Sequence, residues 1–156
     1  MSDELFFGND FDADSTAPIN FLETRFNDLS PFSAHEVEID GAVYKTAEHA
    51  YQTLRVVEGE RASVMTARSP MDAWRQGQRC KETGKLVSDF DKDSLMEKIF
   101  RAKLAQHEDI REVLLATKNR QLLKVYEADS YWGTGSDGNG QNKMGILWMK
   151  LRDELI

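Results

Sequence analysis

The sequence predicts an α+β fold that is mostly helical, with a small antiparallel sheet. Three observations carry this. Apolar residues recur at helical spacing through most of Thr46–Thr117 and again after Lys143. Asp40-Gly41 stands between two short runs, Val37–Ile39 and Ala42–Tyr44, the strongest hairpin signal in the chain. The length of 156 residues suits one core. The expected organisation is an acidic arm at 1–17, with no Lys or Arg before Arg25, and a single folded domain at 18–156.

A net charge of −7 argues against a broad basic nucleic-acid surface, so any phosphate site must be a local cationic pocket. No run approaches the length of a membrane span, and the N-terminus has no basic region of a signal peptide. One cysteine, Cys80, excludes an internal disulfide and a multi-cysteine metal site, and a cytoplasmic protein is the simplest expectation. The Asp-rich arm lacks the loop glycine and terminal glutamate of a calcium loop. His35 and His49 are far apart and no His-x-x-x-His pattern occurs, so no metal site is expected.

In chain order, Pro18–Leu22 reads as a short strand and Leu29–Phe32 as a turn. The hairpin follows, and Gln121–Tyr126 is expected to join the same sheet. Thr46 caps a helix reaching about Val57, with Ala47, Ala50, Leu54 and Val57 on its buried face. Glu48, Tyr51, Gln52 and Arg55 share a neighbouring stripe: a carboxylate, a phenol, an amide and a guanidinium. Such a stripe lines a polar pocket or forms an exposed flank, and spacing alone favours the flank. Glu60–Ala67 is a short helix. Ser69-Pro70 opens another that ends before Gly84, with Ala73, Gly77 and a buried Cys80 along one side. The longest helix starts at Asp93 or Ser94 and runs to Gln106 on a Met96, Ile99, Phe100, Leu104 stripe. Lys103 falls on that stripe, where a lysine either snorkels outward, the commoner outcome, or meets an anion. Asp109–Thr117 is a further helix, with His107 as a cap or turn residue. Lys143–Leu155 is the last helix, with Met144, Leu147, Leu151 and Leu155 inward and Ile146 and Trp148 at the margins.

Between these elements lies Tyr131-Trp-Gly-Thr-Gly-Ser-Asp-Gly-Asn-Gly-Gln-Asn-Lys-Met-Gly145. Its glycines, Gly133 and Gly135 among them, allow close backbone approach to a ligand. It feeds a helix start near Asn142-Lys143 whose N–H groups favour an anion. Trp132 or Tyr131 offers a flat face, and Asp129 a carboxylate. The pattern is neither a Walker A nor a dinucleotide fingerprint, and a flexible surface turn has the same composition.

Several short motifs stand in one order: Ala47-Glu-His-Ala-Tyr-Gln52, Phe100-Arg-Ala-Lys103, Leu114-Leu-Ala-Thr117, Asp129-x-x-Trp-Gly133, and Asn142-Lys-Met-Gly145 running into Leu147-x-Met149-x-x-Arg152. The series resembles the YbiA-like N-glycosidases, or NADAR family, over roughly Ile19–Leu155. The resemblance implies a mixed α and β fold with one pocket, and hydrolysis of N-glycosidic bonds to ribose phosphate. The substrates it implies are ribosylaminopyrimidine phosphates of riboflavin synthesis, or ADP-ribose attached to guanine, including ADP-ribosylated nucleic acid. Matched residue by residue, it marks Glu48, Lys103, Asp129, Trp132, Gly133 and Asn142. The chain departs from the family pattern at Pro31, where an asparagine is common, and at Gln78, where an arginine is common and Arg79 follows.

An oxocarbenium-like state needs a carboxylate to stabilise charge and activate water, and a donor to help the base leave. Glu48 is expected in the first role, and Asp129 orients a ribose hydroxyl or assists the leaving base. Trp132 and Tyr51 are expected to stack on base or ribose. Lys103, Lys143 and the glycine backbone, with Gly133 and Gly135, are expected to hold phosphate, with Gln52 and Asn142 completing the binding set. Arg101 and Lys103 do not share a helix face, so at most one of them is expected to reach the pocket, and Lys103 is favoured because its stripe points inward. No cofactor is expected. The alternatives are a non-catalytic ADP-ribose or nucleotide-binding module and an acidic interaction protein.

Overall fold

The computed structural model describes residues 16–22 and 25–156; most of the expected acidic arm lies outside the described residues. The α+β class, mostly helical with a small antiparallel sheet, is what the structure has. Among the described residues there are six α-helices, none long and apolar enough to cross a membrane. The described residues divide into two compact units, one of residues 31–107 and one of residues 16–22 and 25–30 together with 108–156.

The unit of residues 31–107 holds the hairpin and four helices. Strands β2 (Val37–Ile39) and β3 (Ala42–Tyr44) pair antiparallel, Val37 opposite Tyr44, about a turn in which Asp40 and Gly41 both take positive φ (52° and 88°). Helix α1 (Ala47–Arg55) follows, and Thr46 Oγ1 accepts the His49 N–H at 3.1 Å to close its first turn. Helices α2 (Glu58–Met65), α3 (Pro70–Glu82) and α4 (Lys92–Gln106) all pack on α1. Ser69 caps α3 through Asp72 N, and Asp91 caps α4 through Asp93 N and Ser94 N. Val56, Val64, Ala67, Ala73 and Cys80 form one core cluster, so the cysteine is the buried small apolar residue expected.

Helix α1 differs from its expected orientation. Ala47 and Ala50 are buried, but Leu54 is half-buried and Val57 is exposed. The polar stripe is the buried one: Glu48 is 6% exposed, Tyr51 4%, Gln52 2% and Arg55 8%. The cause is the crowding of α1 by three helices, which leaves only a narrow outward sector at Leu54.

In the other unit, β1 (Ile19–Asn20) pairs in parallel with β4 (Leu122–Leu123), Ile19 opposite Leu122. The expected strand at 121–126 therefore does not join the hairpin but makes a separate two-stranded sheet. Helix α5 (Glu108–Ala116) packs on the 3-10 turn Asn27–Leu29, and α6 (Lys143–Glu154) packs on β4 and α5. Trp148, expected at a margin, is fully buried with Nε1 donating to Leu29 O at 2.8 Å. That bond satisfies the indole N–H, so the ring fills the core with no unpaired donor. Arg152 is also interior, donating to Thr117 Oγ1 and Arg120 O.

Candidate active site

Glu48 stands in the first turn of α1, and its backbone N–H donates to Pro31 O at 3.0 Å. That bond uses only the carbonyl of residue 31, so proline serves there without a side-chain donor. One turn on, Gln52 Nε2 donates to Glu48 Oε2 at 2.6 Å. Gln52 rests on Gly77 of α3, where a Cβ would overlap its Oε1. The missing Cβ of Gly77 thus makes room for the amide that hydrogen-bonds the carboxylate.

Lys103 is fully buried, and its Nζ donates to Ser33 Oγ at 2.6 Å. It does not snorkel, because α4 turns it inward beside Phe100 and Ile99, both fully buried. Arg101 is on the outer face, paired with Glu97 at 2.8 Å. The turn Pro31-Phe32-Ser33 meets both groups: it accepts from the Glu48 backbone and from the Lys103 ammonium. Tyr51 lies between Glu48 and Arg55 along α1, with the Arg55 guanidinium carbon 5.6 Å from its ring centroid.

Asp129, Trp132, Gly133, Gly135, Asn142 and Lys143 belong to the other unit. Asp129 organises the glycine loop: Oδ1 accepts from Tyr131 N at 3.0 Å and Trp132 N at 2.9 Å, and Oδ2 pairs with Lys124 Nζ at 3.0 Å. Burial opposes its charge, but the Lys124 ammonium and the two N–H bonds outweigh it and hold the carboxyl below the usual carboxylate range. Gly135 takes φ 72°, a left-handed conformation that lets its N–H reach Tyr126 O and Asp129 O. Gly133 O accepts from Asn142 N at 2.9 Å. Half-buried Trp132 meets Tyr131 edge to face at 5.0 Å, and Lys143 Nζ lies 5.7 Å from the Tyr131 centroid.

Two features of this loop differ from the expectation. The N–H groups of Lys143 and Met144 donate to Tyr131 O and Trp132 O, each at 3.1 Å, so the loop itself caps α6 where an anion was expected. Asn142 acts as a staple: its Oδ1 accepts from Lys124 N and its Nδ2 donates to Leu122 O, both at 2.9 Å. The amide thereby continues the pairing of β4, a role that local sequence does not signal.

The family model described as the NADAR domain matches residues 7–156. The chain belongs to the NADAR family. N-glycosidase YbiA of Escherichia coli (strain K12) is 36% identical over 140 residues, spanning 88% of each chain. An N-glycosidase of Nostoc punctiforme is 35% identical over 133 residues, covering 81% of this chain and 84% of that one. A riboflavin biosynthesis protein of Vibrio vulnificus is 28% identical over 141 residues, 88% of this chain but 38% of that protein. The NMR structure of the E. coli protein YbiA matches with a TM-score of 0.74 at 36% identity, covering 85% of this chain and 80% of that one. The NADAR chain thus falls in a family of N-glycosidases, hydrolases that act on N-glycosyl compounds.

Proposed function

We propose that the protein hydrolyses the N-glycosidic bond between a base and a ribose phosphate, with Glu48 as the catalytic carboxylate. The observation that carries this reading is the burial of Glu48 beside Gln52, in a unit whose long helix turns a fully buried Lys103 inward. A stability-driven helix has no use for a carboxylate, an amide and a guanidinium on a buried stripe, whereas a site for a polar substrate does. As the C1–N bond breaks, positive charge builds on the ribose, and an adjacent carboxylate stabilises it. The C1–N bonding pair leaves with the base, Glu48 draws a proton from the water whose oxygen bonds to C1, and that proton passes on to the departing base, which restores the carboxylate. Lys103 supplies the cation that complements a buried anionic centre. Tyr51, on the same helix as Glu48, stacks on base or ribose; within the other unit, Asp129 positions the loop that carries Trp132.

A ribosylaminopyrimidine phosphate is the substrate favoured, because a relative in this family carries a riboflavin biosynthesis name. ADP-ribose on guanine is the second substrate. A paired screen by mass spectrometry tests the reading: a ribosylaminopyrimidine phosphate in one arm, an ADP-ribosylated guanine oligonucleotide in the other. Release of free base in the first arm supports the favoured substrate, and release only in the second transfers the assignment. Ligand binding without release in either arm makes the protein a binding module and overturns the enzymatic reading.

A further inference from the structure

Arg55 is 8% exposed, yet its Nε and Nη2 are buried without a hydrogen-bond partner among the described residues. These two nitrogens form one edge of the guanidinium, the edge whose parallel N–H groups grip an oxoanion in bidentate fashion. The Tyr51 ring, with the guanidinium carbon 5.6 Å from its centroid, gives a cation–π contact but accepts neither N–H in the guanidinium plane. A buried guanidinium with an empty fork is costly for the folded chain unless an anion completes it.

Its place on α1 indicates which anion. Glu48 and Arg55 are seven residues apart, two helical turns on one face, with Tyr51 between them. The axial rise between them is about 10.5 Å, and the guanidinium lies over the Tyr51 ring that stands between them. Half-buried Leu54 and Phe90 mark the outward side, the Phe90 ring 6.0 Å from that of Tyr51.

We propose that the Nε–Nη2 edge of Arg55 is the seat of the substrate's phosphate, with Tyr51 beneath the ribose and Glu48 at its anomeric carbon. This rests on the N-glycosidase reading for the identity of the ligand, but the anion seat stands on the unfilled fork alone. It makes α1 a ruler that selects a phosphorylated ribosyl compound over the corresponding free nucleoside.

The test separates the two claims. Inorganic phosphate and ribose 5-phosphate are titrated into the wild-type protein, Arg55→Lys and Arg55→Met, with binding read by NMR shifts of the α1 amides and by thermal shift. Wild type is expected to bind ribose 5-phosphate, Arg55→Met to lose at least tenfold in affinity, and Arg55→Lys, which keeps the charge without the fork, to fall between. Arg55→Met preserves most of the apolar stem, and Arg55→Lys covers the case in which it does not fold. Equal binding by wild type and either folded variant, or no binding by wild type, overturns the seat. In turnover, Arg55→Met is expected to raise KM for the phosphorylated substrate by at least tenfold more than for the dephosphorylated one; an equal change for both also overturns it. Phosphate binding lost in the variants by a wild type that hydrolyses nothing supports the seat while removing the enzymatic reading.

Discussion

Gln52 donates to Glu48 Oε2 at 2.6 Å while the same side chain rests on Gly77 of the neighbouring helix. The orientation of the candidate catalytic carboxylate therefore depends on a missing Cβ on α3. Gly77→Ala is expected to push the Gln52 amide off its seat. The alanine itself favours the helix by up to about 1 kcal/mol, so the thermal midpoint should change little. Turnover should fall at least tenfold as Glu48 loses its donor. Parallel calorimetry and steady-state kinetics check this; unchanged turnover would show that the Gln52 contact does not position Glu48.

Asn142 presents the opposite case, a candidate binding residue whose side chain is engaged with β4. Asn142→Ala removes partners from Lys124 N and Leu122 O and is expected to cost about 1–3 kcal/mol for each group left buried and unpaired. Denaturant unfolding measures the loss. If stability is unchanged and only substrate affinity falls, Asn142 is a binding residue and not a staple.

His49 is buried with Nε2 donating to Ala67 O at 2.9 Å and Nδ1 accepting from the Thr46 hydroxyl at 2.8 Å. Burial lowers its pKa below 6.5, opposed by the Ala67 carbonyl and aided by Lys45. The unfolded chain therefore takes up a proton near pH 6.5 that the folded chain refuses. Stability from this site is complete above that pH and declines as the pH falls below it. Unfolding free energies measured between about pH 7.5 and pH 5 should show the decline in wild type and a shallower one in His49→Gln. Parallel slopes would remove His49 as the source.

Much of this architecture was legible in short stretches. Asp40-Gly41 announced the hairpin, Thr46 and Ser69 announced helix starts, and Gly84 marked an end; each acts through a few neighbouring atoms. The pairing of Ile19 with Leu122 was not legible, since it joins segments about a hundred residues apart with no shared local signal. Trp148 was misplaced because its Nε1 partner, Leu29 O, comes from a distant turn. The polar stripe of α1 was the hardest to read: spacing alone favoured an exposed flank, and only the packing of three helices around it makes it interior. Arg55 entered as part of that stripe, and its unfilled fork is visible only in three dimensions. Lys103 and Glu48 entered as candidates through the ordered motifs.

The most direct test is Glu48→Gln, which keeps the size of the side chain and removes its charge. The rate of free-base release from a ribosylaminopyrimidine phosphate is measured in a single turnover for wild type and variant, with folding checked by circular dichroism. A fall of at least about a hundredfold in a folded variant is predicted, the scale of a lost general base. Release near the wild-type rate would contradict the assignment of Glu48 as the catalytic carboxylate.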